Sequence, residues 1–168
     1  MNMSFLRWAG SKKKLLKRLL PYWQASGCGR YVEPFAGSAM LFFAAQPQQA
    51  LLADTNEDLI EMYRTMQRNW QGVFREVSKF PCTERFYYEL RNMHVPKTHV
   101  IRRAARFIYL NRFCLMGFTG QIAKVSLMCR MPEEQNGSCS RGMNLSSLLL
   151  IFRMHNLFVK ISEEHFSK

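Results

Sequence analysis

The sequence is poor in acidic residues and has no long apolar run. It contains 12 acidic against 24 basic residues, and no stretch reaches 18 consecutive apolar residues. A transmembrane helix needs a run of roughly 18 or more, and residues 1–5 are not followed by the apolar stretch that a signal peptide needs. We therefore expect a cytoplasmic protein with no membrane partner.

The chain also lacks a Cys-x-x-Cys pair. Its five cysteines are Cys28, Cys82, Cys114, Cys129 and Cys139. An odd number of cysteines in a chain without a leader argues against a disulfide framework. We expect reduced, mostly buried thiols and no bound metal.

Basic residues dominate, most strongly in the front part of the chain. The formal net charge is +12, and residues 1–116 hold 18 basic and 8 acidic residues. The sequence pI is about 9.9. Because Lys and Arg side chains that neutralise phosphates release condensed counterions, this balance favours a polyanionic partner such as nucleic acid. An anionic membrane surface would attract the same charge.

Hydrophobic spacing predicts alternating helices and strands in the front part. With 168 residues and 48% hydrophobic residues, the chain should fold as one unit. Residues 11–20 have the spacing of a basic amphipathic helix that Pro21 ends. The predicted strands are residues 30–35 and 49–54, and the helices that follow them are residues 39–45 and 56–70, the second capped by Thr55 or Asn56. This order predicts a βαβ unit with a parallel sheet.

Helical patterns dominate from Gly72 onward, with helices predicted over residues 83–93 and 98–116. The second of these carries Arg102, Arg103, Arg106 and Arg112. We interpret this region as a small helical insert with a basic face, attached to the α/β core. After residue 117 the periodicity weakens, so the sequence divides into residues 1–71, 72–117 and 118–168.

A glycine turn after the first predicted strand is a candidate ligand site. Residues 33–37 (EPFAG) lead into a helix, and a glycine there lets the backbone approach a ligand beside the free amides of the helix start. Asp54 ends the next strand, where nucleotide-binding α/β folds place an acid against ribose hydroxyls. The pattern suits a nucleoside-containing cofactor, although a purely structural turn explains Gly37 equally well.

The opening segment, residues 5–12 (FLRWAGSK), adds a second candidate. Trp8 offers a flat face for a base or a sulfonium group, and Gly10 offers a tight turn. Lys12 places a cation at a helix start, where the helix dipole disfavours it. A core tryptophan beside a solvated lysine is the structural alternative.

Together these segments resemble the Dam-type family of DNA adenine methyltransferases. Residues 5–12 match its opening pattern, Phe-Leu-(Lys/Arg)-Trp-Ala-Gly-Gly-Lys, except at Ser11. Residues 33–39 match Glu-Pro-Phe-x-Gly-x-Gly except that Ala39 replaces the last glycine. Residues 53–56 match Ala-Asp-x-Asn, and residues 109–113 match Tyr-Leu-Asn-Arg-(Phe/Tyr). The four motifs occur in the family's order over about residues 5–117.

The resemblance implies an enzyme that transfers a methyl group from S-adenosylmethionine to the exocyclic amine of an adenine flipped out of double-stranded DNA. It implies that Trp8, Lys12 and Asp54 contact S-adenosylmethionine, with Phe35 and Gly37 shaping the pocket. The implied fold is α/β, an incomplete Rossmann-like methyltransferase sheet with a small helical DNA-recognition insert and an irregular C-terminal tail.

The resemblance also implies that the insert faces DNA. The residues expected there are Asn111, Arg112, Arg102 and Arg103, and the alternative is a solvated helix face. A four-base target such as GATC is an expectation from the family. The sequence does not indicate an oligomeric state.

The family's Asp-Pro-Pro-Tyr signature is absent. In the family it supplies acceptors for the amine hydrogens and an aromatic stack for the extruded base. The sequence has no Asp after Asp58, and Glu133 and Glu134 lack the prolines and the aromatic residue of the motif. We interpret these two as an exposed acidic pair, assign no catalytic residue and expect the chain to be inactive.

The sequence after Gly117 suggests why the signature is absent. Residues 118–135 read FTGQIAKVSLMCRMPEEQ. With synonymous codon choices, reading from the third base of Gly117 gives VYRTNRKGQFNVPYARRTKRK, which contains the Phe-Asn-Val-Pro of the family's next segment. A frameshift near Gly117 would produce this relation and leave residues 118–168 as an out-of-frame tail with no evolved partner in the fold.

Two other classes of function stay open. One is a basic DNA-binding module that needs no cofactor, and the other is a structural or interaction protein. The Trp8→Ala variant separates the methyltransferase from the DNA-binding module, because a methyl-donor pocket predicts loss of S-adenosylmethionine binding, whereas the module predicts unchanged DNA retention at low salt. A structural or interaction protein is favoured if neither ligand binds.

Overall fold

The computed structural model describes residues 6–114 and the backbone of residues 158–161. The chain is a mixed α/β structure. Its elements are a 3-10 helix over Lys12–Leu15, α1 over Leu16–Ala25, β1 over Arg30–Glu33, α2 over Met40–Ala45, β2 over Gln49–Leu52, α3 over Glu57–Ser78, α4 over Glu84–Asn92, α5 over Val100–Phe113 and β3 over Phe158–Ile161. The predicted alternation of strand and helix in the front part is confirmed.

The strands form a parallel sheet in the order β1-β2-β3. Arg30 pairs with Gln49 at one end of β1, and Glu33 pairs with Leu52 at the other. Successive side chains of a strand point to opposite faces, so β1 buries Tyr31 and Glu33 while Val32 is 55% exposed. The buried face of β1 carries an acidic residue into the core.

Four residues of the predicted irregular tail, residues 118–168, form β3 and belong to the sheet. Phe158–Ile161 pairs in parallel with all of β2. Its sequence, FVKI, contains two β-branched residues and suits a strand, and β2 has a second edge for it to pair with. The shifted reading frame at Gly117 and the pair Glu133 and Glu134 lie outside the described residues.

The first helix extends further than its prediction. The sequence predicts a helix over residues 11–20 that ends at Pro21, whereas the chain forms a 3-10 turn and then α1, with Pro21 inside it. Proline removes one amide donor from a helix, and Pro21 is exposed, so water can satisfy the carbonyl that loses its partner. Trp23 in the last turn packs edge-on against Tyr31 of β1, with ring centroids 5.2 Å apart.

α3 begins where the sequence predicts and continues beyond the predicted end. The side chain of Asn56 caps it by accepting a hydrogen bond from the Leu59 amide at 3.0 Å. Asn69 has non-helical backbone angles and kinks the helix, and its Oδ1 accepts from the Gly72 amide at 2.9 Å. The helix therefore restarts and runs on to Ser78, and the boundary drawn between residues 71 and 72 falls inside α3.

α4 and α5 are slightly shorter than the helices predicted over residues 83–93 and 98–116. α5 packs along α3, and both contribute to the buried cluster that contains β2: Tyr63, Met66, Tyr109 and Phe113 join Leu52 there. The region interpreted as an insert therefore shares one hydrophobic core with the sheet. Within the described residues, no helix has both the length and the apolar character of a membrane span.

Candidate functional site

Five residues singled out in the sequence line one cleft. Trp8, Lys12, Phe35, Gly37 and Asp54 all contribute to its walls, around a cavity of about 210 Å³. The cleft lies beyond the carboxyl ends of β1 and β2, which is where parallel α/β sheets commonly bind ligands. Folding thus brings together residues that are up to 46 positions apart in the sequence.

Asp54 connects the two loops that follow the strands. Its Oδ2 accepts a hydrogen bond from the Gly37 amide at 2.9 Å, and its Oδ1 accepts one from the Asn56 amide at 3.0 Å. Each carboxylate oxygen has two lone pairs, and Asp54 is only half-buried. The carboxylate can therefore hold the loops in place and still accept hydrogen bonds from a ligand.

Gly37 occupies a position where a side chain does not fit. Its φ is +49°, a left-handed conformation that glycine adopts without strain. A Cβ atom at Gly37 would lie 2.7 Å from Cδ1 and 2.9 Å from Nε1 of Trp8. The absence of a side chain lets the indole ring lie directly against the turn.

Tyr63 of α3 supports the same turn from below, donating its hydroxyl to the Gly37 carbonyl at 2.8 Å. Burial raises the pKa of Tyr63 well above its ordinary value, and the charges of Glu33 and Asp54 raise it further. Burial also raises the pKa of Tyr31, whose hydroxyl donates to Glu33 Oε2 at 2.8 Å. Both tyrosines therefore remain hydrogen-bond donors at neutral and moderately alkaline pH.

Lys12 is bound to the end of β1. Its Nζ lies 2.8 Å from Glu33 Oε1 and 3.0 Å from the Phe35 carbonyl oxygen. The Glu33 side chain is 6% exposed, so this ion pair neutralises a buried carboxylate. The pair explains how a cation is tolerated at the start of a helix, and it leaves one of the three ammonium donors of Lys12 for another partner.

Sequence reasoning did not single out Glu33 as a site residue. The available signal was its position two residues after Tyr31 in a predicted strand, which places both side chains on one face. A buried acid on that face requires a cation or hydrogen-bond donors. Lys12 and Tyr31 supply them.

The residues predicted to face DNA do not form one surface. Asn111 is fully buried. Its Oδ1 accepts from the Arg7 amide and its Nδ2 donates to the Arg7 carbonyl oxygen, each at 2.8 Å. The structure therefore corrects the expectation for Asn111, because its side chain clamps the segment that precedes Trp8 and does not reach solvent.

Arg103 also has partners within the chain. Its guanidinium pairs with Asp58 at 2.8 Å and with Glu61 at 2.6 Å, both on α3. Arg112 is half-buried, whereas the Arg102 side chain is 45% exposed and approaches Glu76 at 3.9 Å. Of the four predicted residues, Arg102 is the one best placed to meet an external partner.

A larger cleft of about 720 Å³ lies on the other side of Asp54, between α3 and α5. Its walls include Arg64, Arg68 and Lys97. Asp54 lines both cavities, so a ligand at its carboxylate has room on either side. Within residues 6–114, no cluster of His, Cys, Asp or Glu side chains is arranged to hold a metal ion.

Comparison with known proteins gives a consistent result. Residues 8–125 match the family described as D12 class N6 adenine-specific DNA methyltransferase. A DNA adenine methylase of Serratia marcescens is 33% identical over 121 residues, which are 69% of this chain and 44% of that protein. The DNA adenine methylase of Escherichia coli (strain K12) is 34% identical over 124 residues, 71% of this chain and 42% of its own length.

The match with a phage relative covers a still smaller share of that relative. The DNA N-6-adenine-methyltransferase of Escherichia phage P1 is 34% identical over 120 residues, which are 69% of this chain and 16% of that protein. The chain therefore spans less than half the length of each of these three relatives.

Proposed function

Because this chain belongs to the D12 class N6 adenine-specific DNA methyltransferase family, we propose that its cleft binds S-adenosylmethionine and that it binds double-stranded DNA. The relatives named above are adenine methylases of DNA. The observation that carries the proposal is that Trp8, Lys12, Phe35, Gly37 and Asp54 line a single cleft.

The chemistry of these residues fits the cofactor. S-adenosylmethionine, when bound, supplies a methyl group on a positively charged sulfur. Asp54 retains acceptor capacity suited to ribose hydroxyls, and the rings of Trp8 and Phe35, the latter 68% exposed, offer aromatic faces to a cation or a base. Lys12 has one donor left for a carboxylate.

The charge of the cleft also favours a cation. Lys12 is neutralised by Glu33 at 2.8 Å, whereas Asp54 has no cationic partner among the described residues and bonds to two amides. Counted together with Glu33, which lies behind the lining and pairs with Lys12, the charged groups Lys12, Glu33 and Asp54 sum to −1, and this negative charge attracts a sulfonium group. A ligand of nucleoside size has additional space beyond Asp54, in the cleft between α3 and α5.

We propose that these 168 residues bind both partners without transferring the methyl group, since they contain no Asp-Pro-Pro-Tyr. The test is incubation of the purified chain with labelled S-adenosylmethionine and unmethylated DNA, with a full-length adenine methylase as the positive control. We expect no label in DNA above the level of the Trp8→Ala variant. Catalytic transfer of label by the unmodified chain would refute this part of the proposal.

The missing signature is attributed to a frameshift near Gly117. What supports it is that synonymous codons for residues 117–138 can be chosen so that the shifted frame reads as one continuous segment containing FNVP. Sequencing the gene through and beyond this point tests it. We expect a single-base shift to restore Phe-Asn-Val-Pro and then Asp-Pro-Pro-Tyr, and a gene in which no such shift does so would rule the frameshift out.

The alternative is a basic DNA-binding module without catalytic activity. It is favoured by the net charge of +12. Trp8→Ala separates the two functions, because the module predicts that DNA retention at low salt and the thermal response to S-adenosylmethionine are both the same in variant and unmodified chain. The proposed pocket predicts that the ligand raises the Tm of the unmodified chain alone.

A further inference from the structure

The start of the chain has an unusual charge distribution. No acidic residue precedes Glu33, whereas seven basic residues do: Arg7, Lys12, Lys13, Lys14, Lys17, Arg18 and Arg30. In the folded chain Glu33 forms an ion pair with Lys12. The segment therefore contains no acid of its own that could neutralise the remaining cations.

Folding places four of these cations on one exposed surface. Lys13 and Lys14 of the 3-10 helix and Lys17 and Arg18 of α1 are all exposed, and we call these four residues the α1 basic face. The opposite side of α1 carries half-buried apolar residues, namely Leu16, Leu19, Leu20 and Trp23. The amphipathic pattern thus fixes the basic residues toward solvent.

Two basic residues of α5, Arg103 and Arg106, are arranged differently. Arg103 pairs with Asp58 and Glu61 of α3. Arg106 donates to the carbonyl oxygens of Leu90 and Arg91 at 2.8 and 2.7 Å, where α4 ends. These guanidinium groups hold the fold together, whereas Lys14, Lys17 and Arg18 form no ion pair with a described residue.

The α1 basic face also adjoins the cleft. Ser11 and Lys12 line the cleft, and the basic face begins at the next residue. Tyr22 follows Arg18 by one helical turn and is 75% exposed, which adds a hydroxyl donor and an aromatic ring beside the cations. A polyanion on this face would lie next to the entrance of the cofactor cleft.

We infer that the α1 basic face is a docking surface for the phosphate backbone of double-stranded DNA. Taking DNA as the polyanion rests on the proposed function. Ammonium and guanidinium groups position a duplex through its phosphates without reading its sequence. The face therefore contributes affinity and orientation, and its contacts are equally strong on any duplex.

The salt dependence of DNA binding tests this inference. Each phosphate neutralised contributes roughly 0.9 to the slope of log affinity against log salt concentration. In the triple variant Lys14→Gln, Lys17→Gln, Arg18→Gln of the full chain, that slope should be smaller in magnitude by about 2–3. DNA binding is measured by fluorescence anisotropy with a labelled duplex over a series of salt concentrations. Glutamine and lysine have similar helix propensities, so α1 should be retained.

The matched control removes the same charge elsewhere. The control variant Arg75→Gln, Lys79→Gln, Arg85→Gln changes three exposed positions, one on α3, one directly after it and one on α4. Lys79 pairs with Glu76, and Arg85 pairs with Glu89. This variant should lose less than about 1 from the slope. Equal losses in the two variants would mean that net charge alone acts, and would overturn the inference.

Further outcomes separate the inference from the proposed function. An unchanged slope in the α1 variant, with DNA still bound, overturns the docking surface and leaves the DNA-binding function intact. No DNA binding by the unmodified chain overturns both. Binding to vesicles that contain phosphatidylserine is the last measurement. If the triple variant weakens vesicle binding but not DNA binding, the α1 basic face binds a membrane surface and the inference is overturned.

The charge reversal Arg18→Glu should weaken DNA binding, as the triple variant does.

Discussion

At the scale of single residues, the cleft depends on contacts between side chains and backbone. Asp54 accepts from two backbone amides, Tyr63 donates to a carbonyl, and Trp8 lies against a glycine that has no side chain to hold it away. The Asp54 and Trp8 contacts join one loop to another, and the Tyr63 contact joins the Gly37 turn to α3. These contacts restrain the loops where a ligand would meet them.

Replacing Gly37 with alanine should damage both stability and the cleft. The new Cβ would lie within 3 Å of the Trp8 ring in a backbone with φ of +49°. Overpacking and left-handed strain together predict a loss of about 1–3 kcal/mol in the free energy of unfolding, measured with urea. Gly29→Ala is the control, since a Cβ there meets nothing within 4 Å. Equal losses in both variants would contradict this account.

Asn111→Ala tests the corrected role of this residue. Removing the amide leaves the backbone N–H and C=O of Arg7 without their partners, which should cost about 1–2 kcal/mol in the free energy of unfolding. The salt dependence of DNA binding should not change, because the side chain is fully buried. Asn92→Ala, at an exposed helix end, is the control. A weaker salt dependence without destabilisation would return Asn111 to the DNA interface.

Sequence alone identified the cleft residues but not all of their partners. Trp8, Lys12, Gly37 and Asp54 were found because motif order and strand ends locate them. The buried position of Asn111 could not be found in the same way, since it depends on a contact between distant segments. For Asn111 the contact spans 104 residues.

At the scale of secondary-structure elements, helix starts were more predictable than helix ends. Asn56 and Thr83 cap α3 and α4 through their own side chains, a local interaction that the sequence displays directly. The continuation of α1 through Pro21 and of α3 through its kink depends on packing and solvent exposure. β3 depends on pairing with β2 across more than a hundred residues.

Arg106 should matter to α4 more than Arg102 does. It donates to two carbonyl oxygens at the end of α4 at 2.7–2.8 Å, groups that the helix itself cannot satisfy. Arg106→Met should therefore lower the free energy of unfolding by about 1–2 kcal/mol in urea titrations. Arg102→Met is the matched control, because Arg102 is 45% exposed and its contact with Glu76 is 3.9 Å. A larger loss in the control would show that α4 is held in another way.

At the scale of the whole molecule, buried tyrosines link stability to alkaline pH. The folded-state pKa of Tyr63 is raised well above 10.0, its unfolded value. Its contribution is thus fully present below pH 10, and it declines as pH rises, since the unfolded chain releases a proton that the folded chain keeps. Above pH 10 the free energy of unfolding should therefore fall less steeply with pH in Tyr63→Phe than in the unmodified chain. The difference in slope should reach up to about 1.4 kcal/mol per pH unit.

The control for this effect is Tyr22→Phe, because the Tyr22 ring is 75% exposed. Urea titrations at a series of pH values from neutrality upward measure the decline in each protein. Tyr22→Phe should keep the pH dependence of the unmodified chain. If Tyr63→Phe keeps it as well, the Tyr63 hydroxyl is not held in the buried state described.

Calorimetric titration of S-adenosylmethionine into the chain tests the cleft most directly. The sequence holds two aspartates, Asp54 and Asp58, of which only Asp54 lines the cleft, so Asp54→Asn and Asp58→Asn form a matched pair. We predict saturable binding by the unmodified chain and by Asp58→Asn, with at least a tenfold loss in Asp54→Asn, about 1.4 kcal/mol or more. Equal affinity in all three proteins, or no binding by the unmodified chain, would contradict the assignment of the cleft.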